Sequence, residues 1–344
     1  MPASLTAPSS AHRIAAMALG VLLLAGAPAS AQTAAAGATA GPAAPAAHPY
    51  LTLAQLRARY RDGQSRFAEI GGLSIHYKDE GPRGAPVLLM VHGSESSLKT
   101  WDRIAVLLKR RYRIVRFDMP GYGLSQGTTD AAAKAMVPTD LPIGLLDRLG
   151  IRRVSFVGVS SGGTMGMYLA ARRPDLVERL VLSNTPSDPV DTSHLVLTPA
   201  FIAAQARVKA TGFRDQDFWD QFLSYFAGDP ARIPARTRRE YYDFARREPE
   251  KNLIALIARI GDGKQATIEM AKVTVPTFLI WGTGDPLLPE SALNAITRYL
   301  ANARISKVMM PDVGHYPPLE VPDRFAQLLA AYLEAGVPAA ALKP

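Results

Sequence analysis

A serine set between glycines, Gly158-Val159-Ser160-Ser161-Gly162, stands between an apolar, β-rich run from Val154 to Val159 and a helix-like segment from Thr164 to Ala171. A strand, a sharp turn and a helix are the context in which a G-x-S-x-G turn presents a serine hydroxyl as a nucleophile. The turn strains the serine backbone and brings strand and helix so close that residues two positions away must be tiny, a need met by Gly158 and Gly162. This register selects Ser160 over Ser161, which would need a glycine where Val159 stands. A free serine is a poor nucleophile near neutral pH. It needs a base within hydrogen-bond reach, and the base needs an orienting carboxylate.

Of six histidines, His315 in Pro311-Asp312-Val313-Gly314-His315 is the best candidate base. His12 and His48 lie near the N-terminus, His76 falls in an early strand with a half-exposed structural role expected, and His194 reads as a surface residue. His92 precedes Gly93-Ser94-Glu95 and is expected to brace that loop by hydrogen bonding. For the carboxylate, Asp285 in Trp281-Gly282-Thr283-Gly284-Asp285-Pro286 is preferred, with Asp188 as the variant choice. Asp118, in Asp118-Met119-Pro120-Gly121, is read as a turn-former without chemistry. An oxyanion needs main-chain donors, for which the amides of Ser94 and Ser161 are the candidates. Losing one such donor typically costs about 3 to 4 kcal/mol of transition-state stabilisation.

These residues need a scaffold, and the hydropathy pattern supplies one. Leu51 to Tyr60 has helical spacing; Arg66 to Ile70 and Leu73 to Asp79 flank Gly71-Gly72 as a hairpin; Pro86 to Val91 is a continuous apolar run suited to a strand buried on both faces. Helix and strand then alternate: Lys99 to Arg110, Arg113 to Phe117, Thr139 to Leu149 and Val154 to Val159. Beyond the elbow helix come a strand from Val177 to Leu182, a long insertion, and strands at Thr277 to Trp281 and Arg304 to Met309 with helices at Glu290 to Leu300 and Asp323 to Leu333. The order implies a mostly parallel sheet with helices on both faces and a ligand crevice beyond the carboxyl ends of the strands. All the candidate site residues fall there.

The region from about Arg66 to Leu333 resembles the α/β-hydrolase superfamily, on the strength of His92-Gly93, Asp118 to Ser125, the serine elbow, and the Asp285 and His315 loops. The order Ser160, Asp285, His315 is the one this fold uses. The resemblance implies that the insertion from 186 to 270 is a helical cap over the crevice. Its aromatic cluster, Phe213, Phe218, Trp219, Phe222, Tyr225, Phe226, Tyr241, Tyr242 and Phe244, then forms chiefly the cap's own core, with a few rings facing the pocket. Serine at the nucleophile position argues against haloalkane dehalogenases and epoxide hydrolases, which use aspartate. The C–C bond hydrolases of aromatic breakdown usually carry Asn before the nucleophile and Trp after the catalytic His, where Val159 and Tyr316 stand here. A lipase-type His-Gly-Gly-Gly loop is missing as well. The nearest likeness is to the haloperoxidase-like esterases: a capped serine hydrolase of a small ester or lactone, working without cofactor or metal. A C–C bond hydrolase or a triad-bearing ligand receptor are the alternatives.

The chain has 344 residues, 48% of them hydrophobic, enough for one large α/β domain with an insertion. Its formal net charge of +9 comes from 39 Lys and Arg scattered along the chain, a solvated basic surface rather than a nucleic-acid footprint. Residues 1 to 31 read as an export signal: Arg13 precedes an apolar run from Ile14 to Ala27, and Ala29-Ser30-Ala31 supplies small residues for cleavage. That run is short of the roughly 20 residues that span a bilayer, so no lasting membrane insertion is expected. Absence of cysteine suits a periplasmic or secreted protein. Residues 32 to 48, almost all Ala, Gly, Pro and Thr, read as a flexible tether, and 336 to 344 as a tail. The hydrolase core is expected at 49 to 185 and 271 to 335, on either side of the cap.

Overall fold

The computed structural model describes residues 50–187, 190, 192–247 and 263–335, together with 252, 253, 256 and 259. The export signal, the tether, the tail and Asp188 lie outside the described residues. Eight strands form one sheet: β1 (Arg66–Ile70), β2 (Leu73–Glu80), β3 (Val87–Val91), β4 (Arg113–Phe117), β5 (Val154–Val159), β6 (Val177–Ser183), β7 (Thr277–Gly282) and β8 (Ile305–Met310). Their order is β1-β2-β4-β3-β5-β6-β7-β8. The β1–β2 and β2–β4 pairs are antiparallel and the rest parallel. The hairpin turns at Gly71 and Gly72, whose φ values of 58° and 76° suit residues without a Cβ.

Because β3 and β5 are buried on both faces, alternate residues feed two cores. Leu89, Val91 and Phe156 join the core shared with the elbow helix. Leu88, Met90 and Val157 join the opposite one, with Trp101, Ile104, Phe325 and Leu329. This is why the strands read as unbroken apolar runs rather than alternating ones.

The first helix runs Leu53–Tyr60 (α1), capped by Thr52. The segment expected as one helix from Lys99 to Arg110 divides into a 3₁₀ turn, Leu98–Trp101, and α2, Asp102–Leu108. The cause is tertiary: Asp118 Oδ1 takes the Leu98 N–H at 2.7 Å and Arg116 Nη1 donates to the Leu98 carbonyl at 3.1 Å. Two helices follow before β5, α3 (Asp130–Ala135) and α4 (Asp140–Arg148), the first of them not expected from the sequence. The elbow helix α5, Ser161–Arg172, starts three residues earlier than helix propensity suggested, running through Gly162 and Gly163. Glycine costs about 1 kcal/mol there relative to alanine. Close packing demands it: a Cβ at Gly162 would overlap the Val91 and His92 carbonyls, and one at Gly163 the Thr185 side chain.

Between β6 and β7 lies the cap, with α6 (Pro199–Thr211), α7 (Gln216–Phe226) and α8 (Ala235–Ala245). Phe218, Phe222 and Phe226 fall on one face of α7 and pack around Phe201 of α6, with ring centroids 5.8, 6.3 and 6.5 Å away. Most cap aromatics thus build the cap's own core. Phe226 and Tyr241 reach the base loop, Phe226 lying 6.3 Å from the His315 ring and Tyr241 6.5 Å from Tyr316.

Candidate active site

Ser160 sits between β5 and α5 with φ 53° and ψ −130°. Such a backbone costs on the order of 1 to 3 kcal/mol and persists only where its surroundings hold it. Here the Ser160 N–H donates to the Ser183 carbonyl at 3.0 Å, tying the elbow to β6, and its own carbonyl accepts from Gly163 at 2.9 Å. Among the described residues the other non-glycine positions with positive φ are Glu95 and Asn184. All three follow the carboxyl ends of adjacent strands, β3, β5 and β6, so the strain is gathered at the carboxyl end of the central strands.

Asp285 and His315, separated by 30 positions, are brought together in the loops after β7 and β8. The His315 Nδ1–H donates to Asp285 Oδ2 at 2.6 Å, with both side chains almost wholly buried. The same carboxylate is held from two further sides: Oδ2 accepts from Asn184 Nδ2 at 2.9 Å and Oδ1 from the Leu287 N–H at 2.8 Å. Asn184 is itself locked to β7, its Oδ1 accepting from the Gly282 N–H at 3.0 Å and its Nδ2 donating to the Gly282 carbonyl at 2.9 Å. Fixing Nδ1 as the donor leaves Nε2 with the lone pair a general base requires.

His315 is held through its backbone as well. Its N–H donates to the Phe226 carbonyl at 2.7 Å. Glu320, five residues on, accepts from the N–H groups of Gly314 and Tyr316 at 3.0 and 3.3 Å, and from Gly228 and Asp229 at 2.8 and 3.4 Å. Burial raises the Glu320 carboxyl above its ordinary value, against the pull of those four N–H groups.

Ser94 and Ser161 are side by side, their hydroxyls 2.9 Å apart. Neither main-chain N–H is among the backbone hydrogen bonds made by loops and turns of the described residues. A Cβ on Gly93 would press on the Ser160 side chain, so glycine lets the loop after β3 approach the elbow. His92 braces that loop as expected: its Nε2 accepts from the Met119 N–H at 3.0 Å, which leaves Nδ1 to donate to the Gly93 carbonyl at 2.6 Å. Burial lowers the His92 pKa and keeps the ring neutral, as this pattern needs.

Asp118 forms a turn, its Oδ2 accepting from the Leu124 N–H at 2.8 Å. It also pairs with His76, Nδ1 to Oδ2 at 2.7 Å. His76, expected half-exposed, is buried, its ring packed 5.2 Å from that of Phe67 and bonded to the Asp118 carboxylate. Burial works to raise the Asp118 pKa, but His76, His92 and the Leu124 N–H together hold the carboxyl below its ordinary value. His194 is exposed and lies 2.8 Å from the Pro286 carbonyl.

The cap reaches the loop after β3 through Arg214, paired with Glu95 at 3.2 Å and lying over the rings of Phe218 and Trp219. Tyr241 Oη meets Ser96 Oγ at 2.8 Å, and burial pushes this phenol up to about 12, so it remains neutral. Asn184, Arg214 and Glu320 escaped sequence reasoning. No motif spacing marks them, and only tertiary contact gives them partners.

Comparison with known proteins agrees with this architecture. The chain is 25% identical over 290 residues to a 2-hydroxy-6-oxononadienedioate/2-hydroxy-6-oxononatrienedioate hydrolase of Pseudomonas sp, covering 79% of this chain and 97% of that protein. To the pimeloyl-[acyl-carrier protein] methyl ester esterase of Nitrosomonas europaea it is 26% identical over 275 residues, 75% of this chain and 99% of that one. The solved enol-lactonase of Burkholderia xenovorans LB400 superposes with a TM-score of 0.61 at 24% identity, over 78% of this chain and all of that one, a likeness of fold. The pattern described as the alpha/beta hydrolase family matches residues 88–328, which cover β3 to β8 and every candidate site residue; the chain belongs to that family and is an α/β-hydrolase enzyme.

Proposed function

We propose that the protein hydrolyses small apolar or aromatic carboxylic esters or lactones through an acyl-enzyme on Ser160, with His315 as base and Asp285 as its orienter. The observation that carries this reading is the buried 2.6 Å Asp285–His315 bond beside a strained serine elbow. Ser160 Oγ attacks the acyl carbon and passes its proton to His315 Nε2. The carbonyl oxygen becomes an oxyanion facing the N–H groups of Ser94 and Ser161. Collapse of the tetrahedral adduct breaks the C–O bond, His315 returns the proton to the leaving alkoxide, and water repeats the cycle on the acyl-enzyme. In the described residues Ser160 Oγ and His315 are not hydrogen-bonded; such contacts often tighten only once substrate is bound. The esterase relative supports the ester reading.

A fluorophosphonate should label wild-type protein at Ser160 alone. Ser160→Ala should lose both labelling and hydrolysis of chromogenic esters and lactones, the latter by on the order of 10⁴ to 10⁶ in kcat. Labelling that persists in the alanine variant would move the nucleophile elsewhere, with Ser161 the first suspect. A second reading, C–C bond hydrolysis of a 2-hydroxy-6-oxo dienedioate, is favoured by the Pseudomonas relative. Turnover of such a compound in preference to every ester and lactone tried would establish it.

A further inference from the structure

The geometry points to Glu320 as a positioning residue that holds the His315 loop in working register by strapping it to the cap. This rests on the reading of His315 as the base. One buried carboxylate gathers four main-chain N–H groups from two separate parts of the chain: Gly314 and Tyr316, on either side of His315, and Gly228 and Asp229, just past the end of α7. Among the described residues it has no cationic partner in the salt bridges, so these N–H groups are what compensates its burial. A carboxylate of this kind is costly unless the groups around it are fixed, so its presence holds both segments in one arrangement.

The two segments also interlock without it. A Cβ on Gly314 would overlap the Phe226 carbonyl and the Gly228 amide, and one on Gly228 would overlap the backbone of Asp312 to Gly314. Arg232 donates to the Asp312 carbonyl at 2.6 Å and pairs with the Asp312 carboxylate at 3.0 Å. The glycines permit close approach; Glu320 sets the register. Asp285 fixes the imidazole's tautomer, but it cannot fix where the peptide carrying the imidazole lies. Displacement of a reacting group by about 1 Å costs on the order of 10² in rate.

The test uses Glu320→Gln, which keeps the side chain's size but turns one acceptor into an N–H₂ facing other N–H groups. In folded variant, the fluorophosphonate labelling rate of Ser160 and kcat for a small chromogenic ester should fall together by about 10²-fold. KM should stay within about twofold, since no substrate contact is removed. The proton of the His315–Asp285 hydrogen bond, followed by NMR, should shift or broaden. Labelling and kcat within about twofold of wild type would overturn the proposal, and so would an equal loss with the proton signal unmoved, which would make Glu320 structural only. Should the variant not fold, hydrogen exchange in wild type decides: the amides of Gly314, Tyr316 and Gly228 should be protected together, and fast exchange at Gly314 and Tyr316 would overturn it. Wild-type protein that is not labelled at all would instead fail the underlying reading of Ser160 and His315.

Discussion

At the scale of single residues, the imidazole of His315 and the carboxylate of Asp285 have unequal tasks. In the proposed mechanism the ring takes the proton from Ser160 itself, while Asp285, held by Asn184 and Leu287, keeps Nδ1 protonated and stabilises the imidazolium that forms. His315→Ala should therefore match the loss on removing Ser160. Asp285→Asn, which presents an N–H₂ to the ring and favours the wrong tautomer, should cost roughly 10- to 100-fold less. Steady-state kcat with a chromogenic ester checks the ordering. Greater damage from Asp188→Asn than from Asp285→Asn would reassign the acid. The legibility of these residues differed sharply. Ser160 was readable because its glycines must flank it at fixed spacing, whereas Asn184 carries no local mark, since its partners Gly282 and Asp285 are about 100 positions away.

At the scale of elements, we propose that the cap decides what reaches Ser160. Rings of α6 and α7 fill the cap's interior around Phe201, and Phe226 and Tyr241 extend from it to the base loop. If these rings wall the site, it buries most of a small ligand and excludes water, which favours compact apolar acyl or aromatic groups. Each methylene that fits contributes about 0.8 kcal/mol of burial, so kcat/KM should rise a few-fold per carbon and fall once the space is full. The p-nitrophenyl series from acetate to palmitate should show its maximum among the short chains. A steady climb to palmitate, with stimulation by emulsified lipid, would mean an open groove instead. In the sequence itself Phe218, Phe222 and Tyr225 stand at helical spacing, which is enough to turn them to one side of α7. That spacing did not foretell Phe201, because the partner of a helix face is chosen by packing rather than by period.

At the scale of the whole molecule, the basic surface and the N-terminal pattern bear on where the enzyme works. Among the described residues no helix is long and apolar enough to cross a membrane. We propose that the chain is exported and trimmed after Ala31, on the evidence of the apolar run from Ile14 to Ala27 and the Ala29-Ser30-Ala31 pattern. Intact mass of protein released by a bacterial host should give Gln32 as its first residue. Full-length chain retained with the membranes would refute this.

What the sequence determined by itself was whatever depends on local pattern. Period and unbroken apolar runs located the strands to within a residue or two, the two-glycine turn set the β1–β2 hairpin, and the elbow singled out Ser160 as the candidate nucleophile. The sheet order could be expected only by resemblance, since pairing of β3 with both β4 and β5 joins segments that no local rule connects. Tertiary structure alone decided the break between the 3₁₀ turn and α2, the burial of His76 against Asp118, and the hold of Asn184 and Glu320 on the Asp285 and His315 loops. In each case a buried polar group had to find a partner once water was excluded, and the partner came from whichever distant loop the sheet brought near.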